Sequence, residues 1–237
     1  MIAVDFSAKA WLDVSDVTLT ASPSAIAACA TVLMVFGANS TALAQEVLIP
    51  AASTNDFSII GLSASLALDE TVEVNAATLS LIGDLEGSVL TAGGRYRLTN
   101  SVGVNTSYFG VFEARTVGRA NPRDHRIRID VDGRVDLGFI LLSHRSRFEY
   151  RFRDIDDQTR YRPQLRATLN THLPIRPFFS VEPFFVLDDF DTQLVLLEPG
   201  IRASATSQVA LLVSYIRGVV LGGAEQNIIV AQLALTL

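Results

Sequence analysis

"HRSRFEYRFR", His144 to Arg153, sets charge against aromatic rings residue by residue. Arg145, Arg147, Glu149, Arg151 and Arg153 hold the odd positions, and Phe148, Tyr150 and Phe152 the even ones. A period of two places the two classes on opposite faces of a β-strand, whereas a helix would scatter both around its axis. The stretch predicts a strand with one wet face and one greasy face, and the question is what lies against each.

The pattern recurs along the chain. In "RIRIDVDGRV", Arg126, Arg128, Asp130, Asp132 and Arg134 alternate with Ile127, Ile129, Val131 and Val135. In "RYRPQLRATLN", Arg160, Arg162, Gln164, Arg166, Thr168 and Asn170 alternate with Tyr161, Leu165, Ala167 and Leu169. Weaker versions set Glu182 against Val181 and Phe185, and Glu198 and Arg202 against Leu197, Ile201 and Ala203. Strand-like segments are expected at Phe57–Leu68, Val72–Ile82, Ser88–Leu98, Val102–Phe112, Arg126–Val135 and Phe139–Phe152. Five more are expected at Thr159–His172, Pro177–Leu187, Leu194–Ser204, Gln208–Gly218 and Asn227–Leu237. No helical pattern longer than a turn or two is visible after Gln45.

A soluble sandwich alternates too, so length and connections decide. The segments average about ten residues, above the usual five or six of soluble strands and close to the nine to eleven that cross a bilayer. Long polar connections ("EARTVGRANPRD", "RDIDDQ", "GVVLGGAEQ") alternate with tight turns near Thr99, Asp136 and Thr206. That asymmetry predicts an all-β fold, an antiparallel transmembrane β-barrel with short turns on the periplasmic rim. Phe112, Tyr150, Phe152, Tyr161, Phe185 and Tyr215 gather toward the outer rim, and Tyr96, Phe139 and Phe178 form a thinner inner set. Eleven segments conflict with the even count of bacterial outer-membrane barrels. Ten to twelve strands are expected, twelve being favoured if residues Glu46–Ser53 supply a short first strand.

The front of the chain reads differently. Ala25–Gly37 is an apolar run too short for a membrane-spanning helix, and Ala42-Leu43-Ala44 is an A-x-A cleavage site. Residues 1–44 are therefore expected to be a cleaved signal peptide, 45–56 a lead or short first strand, and 57–237 the barrel. The amino-terminal region departs from the usual basic pattern, with only Lys9 against Asp5, Asp13 and Asp16. Cleavage removes Cys29, Trp11 and Lys9, so the mature chain has no thiol and every basic residue is arginine. Eighteen arginines against 22 acids leave a net charge of about −4, which predicts no nucleic-acid binding.

"GGRYRLTNSVGV", "DHRIRIDVDGRVDLGFILLSHRSRFEYRFRD", "TRYRPQLRATL", "FSVEPFFVL" and "GIRASATSQVALLVSYIRG" resemble a Gram-negative family catalogued as domain of unknown function 2490. The resemblance covers about Val89 to Leu237. Its carriers are the R-x-R-x-E-x-R run at Arg145, Arg147, Glu149 and Arg151, the R-x-R at Arg160 and Arg162, and the E-x-F at Glu182 and Phe184. It implies an outer-membrane β-barrel and no particular reaction or ligand. The chain ends in Leu237, where such barrels usually close on an aromatic read by the assembly machinery, the partner expected for the last strand.

With the greasy face on outer-membrane lipid, the charged face meets the lumen. The expected lumenal arginines are Arg95, Arg97, Arg126, Arg128, Arg134, Arg145, Arg147, Arg151, Arg153, Arg160, Arg162, Arg166 and Arg202. The expected lumenal acids are Asp130, Asp132, Glu149, Glu182 and Glu198. Two readings stay open: carboxylates bridge the arginines and close a structural barrel, or unpaired arginines line a narrow anion-favouring pore. A soluble periplasmic ligand-binding barrel and a lipid-modifying enzyme are the alternatives. No enzyme is expected: His125, His144 and His172 fall apart along the chain, and Ser143 points away from His144. Asp188, Asp189 and Asp191 read as a solvated loop before a Ca²⁺ site. No cofactor, metal or nucleotide motif is found.

Overall fold

The computed structural model describes residues 56–83, 85–116, 119–120, 124–153, 157–188, 191–220 and 225–237. The expected signal peptide and any strand in Glu46–Ser53 lie outside them. The strands are β1 Asp56–Ala67, β2 Val72–Gly83, β3 Leu85–Arg97, β4 Val102–Thr116, β5 Arg119–Ala120 and β6 Asp124–Asp136. They continue as β7 Ile140–Arg153, β8 Gln158–Leu169, β9 Ile175–Val186, β10 Asp191–Ser204, β11 Val209–Val220 and β12 Glu225–Thr236. All the described elements are strands, and each of the eleven expected segments is one of them.

Among the described residues the wall has eleven strands. Each strand pairs antiparallel with its neighbour in sequence, β4 pairs with β6, and β3 pairs with β4. β5 is two residues that pair only with the end of β4 and stays out of the wall. An odd number of up-and-down strands leaves the first and last running the same way. β1 and β12 accordingly close the ring as a parallel pair, in register from Asp56↔Asn227 to Ser65↔Thr236. The expectation of a purely antiparallel barrel with an even count is corrected by that single seam. One consequence is that Asp56 and Leu237 end on opposite rims.

The turn rim is built by short polar caps. Asp69 Oδ1 accepts the N–H groups of Thr71 and Val72 at 2.6 and 2.8 Å. Those bonds, Thr71's first, hold the Asp69 carboxyl below its ordinary pKa. Thr99 Oγ1 accepts from Ser101 and Val102, and Thr206 Oγ1 from Gln208 and Val209. Such side-chain-to-backbone bonds are what let polar residues reverse a chain in so few positions. Gly138 supplies the positive φ (+86°) of the Asp136–Phe139 turn, with its N–H on Asp136 Oδ1.

Ladders lose pairs at prolines: β10–β11 skips from Leu197↔Arg217 to Gly200↔Ser214 around Pro199, and β8–β9 has a wider gap. β8 and β9 pair at Arg160↔Val186 and Tyr161↔Phe185, then only again at Leu165↔Val181. That register sets Pro163 opposite Pro183. Neither has an N–H, so both bonds of that pair are missing and the neighbouring pairs that depend on them drop out too.

Alternation sorts two faces along the wall, as expected for the arginine-rich strands β6 to β8. Ile60, Leu90, Ile129, Phe148, Leu165, Ile201, Val213 and Ile229 point outward and are exposed. Inward, the loop half of the lumen carries an apolar cluster of Phe57, Ile59, Leu79, Leu81, Val89, Phe109, Val111, Phe184, Leu194, Leu196, Leu212, Ile216, Ile228 and Val230. Phe178, expected in the inner aromatic belt, is corrected. It shares parity with Glu182, so it lies buried in the lumen, and Phe179 takes the outer face. Gly200 makes room for it, since a Cβ there would come within 2.4 Å of the Phe178 ring.

Candidate functional site

The arginines meet the apolar cluster inside the barrel. β6 to β8 bring charges of opposite sign into cross-strand rows: Arg128 and Arg160 both lie in register with Glu149, and Asp130 with Arg147. Cross-strand neighbours a few ångströms apart interact directly, so the alternating signs within these rows hold the register.

Glu149 is the hub. Its Oε1 accepts Arg160 Nε at 2.8 Å and Arg160 Nη2 as well. Its Oε2 accepts Arg128 Nε at 3.0 Å and Arg162 Nη1 at 3.2 Å, with Arg126 Nη1 at 3.5 Å. Arg162 also reaches Glu182 Oε1 through Nη2 at 3.0 Å, and Arg145 Nη2 donates to the same oxygen at 2.7 Å. At the loop end Asp124 chelates Arg126, Nε at 3.0 Å and Nη2 at 2.6 Å, and pairs with Arg151. Asp124 thus begins a continuous chain of ion pairs through Arg126, Glu149, Arg162 and Glu182 to Arg145. Asp130 and Arg147 form a fork at 2.6 and 2.7 Å. Arg166 donates to Glu198 at 2.8 Å, and Ser180 and Ser214 satisfy the rest of that carboxylate.

Aromatic faces complete the cage. Arg128 lies 3.8 Å and Arg126 4.6 Å from the Phe109 ring centroid, Arg162 3.9 Å from Phe184, and Arg166 4.5 Å from Phe178. A guanidinium removed from water gains from such a face. Arg126, Arg128 and Arg162 are 0% exposed, and Glu149 1%.

The expected lumenal residues Arg126, Arg128, Asp130, Arg145, Arg147, Glu149, Arg151, Arg160, Arg162, Arg166, Glu182 and Glu198 are all buried or half-buried inside the barrel. Arg202 stands apart toward the turn rim. Arg97 is corrected: it is exposed at that rim, its Nη1 on the Glu70 carbonyl at 3.0 Å. Asp124 lies in the expected loop but opens β6, which starts two residues before the expected Arg126. Phe109 and Phe184 were legible only through parity, Phe184 being two residues from Glu182.

A family model described as a protein of unknown function, DUF2490, matches residues 65–225. The chain belongs to that family. Neither a curated protein nor a solved structure matches it. The match spans the DUF2490 barrel from the end of β1 to the start of β12, and so includes the whole buried ion network.

Two polar contacts on the outer face of this DUF2490 barrel were missed. His144 Nε2 lies 2.9 Å from Ser146 Oγ, which in turn lies 3.1 Å from the Tyr161 hydroxyl. The i, i+2 spacing puts His144 and Ser146 on one face, whereas only the i, i−1 neighbour Ser143 had been weighed. Among the described residues no carboxylate or amide hydrogen-bonds the other His144 nitrogen, as a serine nucleophile's base requires. His125 contacts the Tyr108 hydroxyl and the Phe112 ring at the other end of the wall. No group of three or more metal-ligating side chains is assembled among the described residues. The Asp188 loop is only partly described.

Proposed function

We propose that this protein is an outer-membrane β-barrel of a Gram-negative cell, closed on its loop side and carrying no catalytic site. Its apolar outer face supports membrane residence. Every wall strand turns aliphatic or aromatic side chains outward, a continuous greasy skirt far larger than the patches soluble monomers expose. A soluble barrel carrying an apolar ligand needs the opposite arrangement, with the arginines outside.

The observation that carries the closed reading is the burial of the lumenal charges. Side chains that line a conducting pore touch water. Here Arg126, Arg128, Arg162 and Glu149 are shut away from it, and so are Phe109, Leu196 and Ile216 in the same half of the lumen. Each arginine of this cluster is ion-paired in place, so none offers a solvated charge with which to select ions. The plug fixes the register of β6 to β9 and seals the loop end, and the turn half stays open as a cup.

The test is direct. In fractionated cells the protein is expected in the outer membrane, its gel mobility shifting on boiling. In planar bilayers under a KCl gradient it is expected to pass no steady current. A sustained anion-selective current would overturn the closed reading in favour of a narrow pore, and recovery in the soluble periplasm would overturn the membrane reading.

A further inference from the structure

The turn half of the lumen holds a cavity of about 500 Å³. Seven arginines line it: Arg95, Arg145, Arg147 and Arg166 on its walls, and Arg134, Arg176 and Arg202 toward the turn rim. Asp130 and Asp132 are the acids among its lining residues. Asp130 is taken by Arg147 and Asp132 by Arg95, and Arg145 and Arg166 turn to Glu182 and Glu198. Three charges are left over at the mouth. Arg134 reaches only the Asn100 carbonyl, at 3.1 Å. Arg176 and Arg202 sit directly opposite each other on β9 and β10, and neither meets a carboxylate among the described residues. Like charges so placed repel and destabilise the empty sheet. Deeper in, Nε and Nη1 of Arg145 are buried and donate to nothing among the described residues.

From this geometry we propose that the cup binds a small soluble molecule through a multivalent phosphate. Three unneutralised guanidinium groups converge on one mouth, and their planar forks match phosphate oxygens bidentately. The volume exceeds that of a bare phosphate and suits a small organic ligand. Its remaining wall includes Asn75, Thr91, Ser107 and Gln164, donors and acceptors for a hydroxylated body such as a sugar. A second cavity of about 600 Å³ adjoins the mouth through Arg134 and Arg176 and is lined also by His172, Asn170 and Asp136. It provides the approach from the turn rim. The inference rests on the blind lumen proposed above, because a through-channel passes anions whereas a blind cup holds them.

The probe is inorganic pyrophosphate, titrated calorimetrically into protein folded in uncharged detergent at low salt. Saturable one-to-one binding is expected, weakening as NaCl is raised. The R176Q/R202Q variant, shown to be folded by its heat-dependent gel shift, is expected to bind at least tenfold more weakly. R97Q, which removes an arginine outside the cup, is expected to bind normally. Glucose 6-phosphate is expected to bind where glucose does not. Added phosphatidylglycerol distinguishes the two sources of phosphate: no competition leaves a soluble ligand, and full competition replaces it with a lipid headgroup. No binding by folded wild-type protein, or equal binding by R176Q/R202Q, overturns the proposal. Both results are independent of conductance, which alone decides the closed lumen.

Discussion

Arg162 donates through Nη1 to Glu149 Oε2 at 3.2 Å, although its register partner across β7 is Arg147. The contact is diagonal. Glu149 already has Arg128 and Arg160 beside it in register, so Arg162 and Arg126 come to it from the neighbouring rows. One carboxylate thereby pairs with four guanidinium groups that would otherwise only repel one another in a site without water. Glu149→Gln keeps the shape and removes the charge. Breaking a buried pair from one side costs about 3–5 kcal/mol, and that loss is expected here, read as a fall in the urea midpoint of the folded gel band. Glu225→Gln, which breaks the exposed Arg217–Glu225 pair, is expected to leave the midpoint nearly unchanged. Equal losses would mean that the buried charges are screened by water.

Phe148 tests the other face. It lies near the middle of β7, is half exposed on the outer wall, and packs on Tyr161 at 4.9 Å between ring centroids. Against lipid, Phe148→Arg costs about 2–4 kcal/mol at the midplane. Folding into lipid vesicles is expected to fall accordingly, while Phe148→Leu folds nearly as wild type. If water surrounds the wall instead, the arginine is tolerated and the two variants behave alike.

The wall was legible because a period of two is a local signal. Each of Arg145 to Arg153 declares its face through its immediate neighbours, and all eleven strands could be placed that way. Closure was not legible. Whether β1 pairs with β12, and in which sense, depends on residues 171 positions apart, such as Asp56 and Asn227, and the even-count rule pointed to a twelfth strand. Parity did reveal the lumenal set, but not who binds whom. Glu149 and Arg128 are in register only because the short turn after Asp136 fixes the β6–β7 pairing. Two of the three mouth arginines, Arg134 and Arg202, belong to the expected lumenal set, and Arg176 falls one residue before the segment expected from Pro177. The outer His144–Ser146 contact follows the same i, i+2 spacing as the arginines.

The odd strand number fixes an orientation that can be measured. β1 and β12 both start at the loop rim, and β12 ends at the turn rim. The chain has no cysteine beyond Cys29, so single cysteines report cleanly. With the loops outside, Glu225→Cys is expected to react with a membrane-impermeant maleimide on intact cells. Ala205→Cys, in a short turn, is expected to react only after the outer membrane is permeabilised. The reverse pattern would turn the phosphate cup toward the medium.

The proline pair makes β8–β9 a weak seam. Pro163 and Pro183 remove both hydrogen bonds at one level of the wall, where β6–β7 pairs without a break from Asp124↔Arg153 to Asp136↔Leu141. Each missing bond is worth about 1 kcal/mol net, or roughly fivefold in a local opening equilibrium. Amides flanking the gap, at Tyr161, Leu165, Val181 and Phe185, are therefore expected to exchange with solvent deuterium faster than those of Ile129 and Phe148 at similar depth. Pro163→Val restores one donor and Pro183→Val the other, so the double variant is expected to slow exchange at those amides, with no change at Ile129. Buried Gln164 and Glu182 lie just behind the gap, beside the Arg145 and Arg162 pairs. If exchange there is as slow as on β6–β7 in the wild type, those ion pairs alone hold the seam shut. Glu182→Gln should then release it while Pro163→Val does nothing.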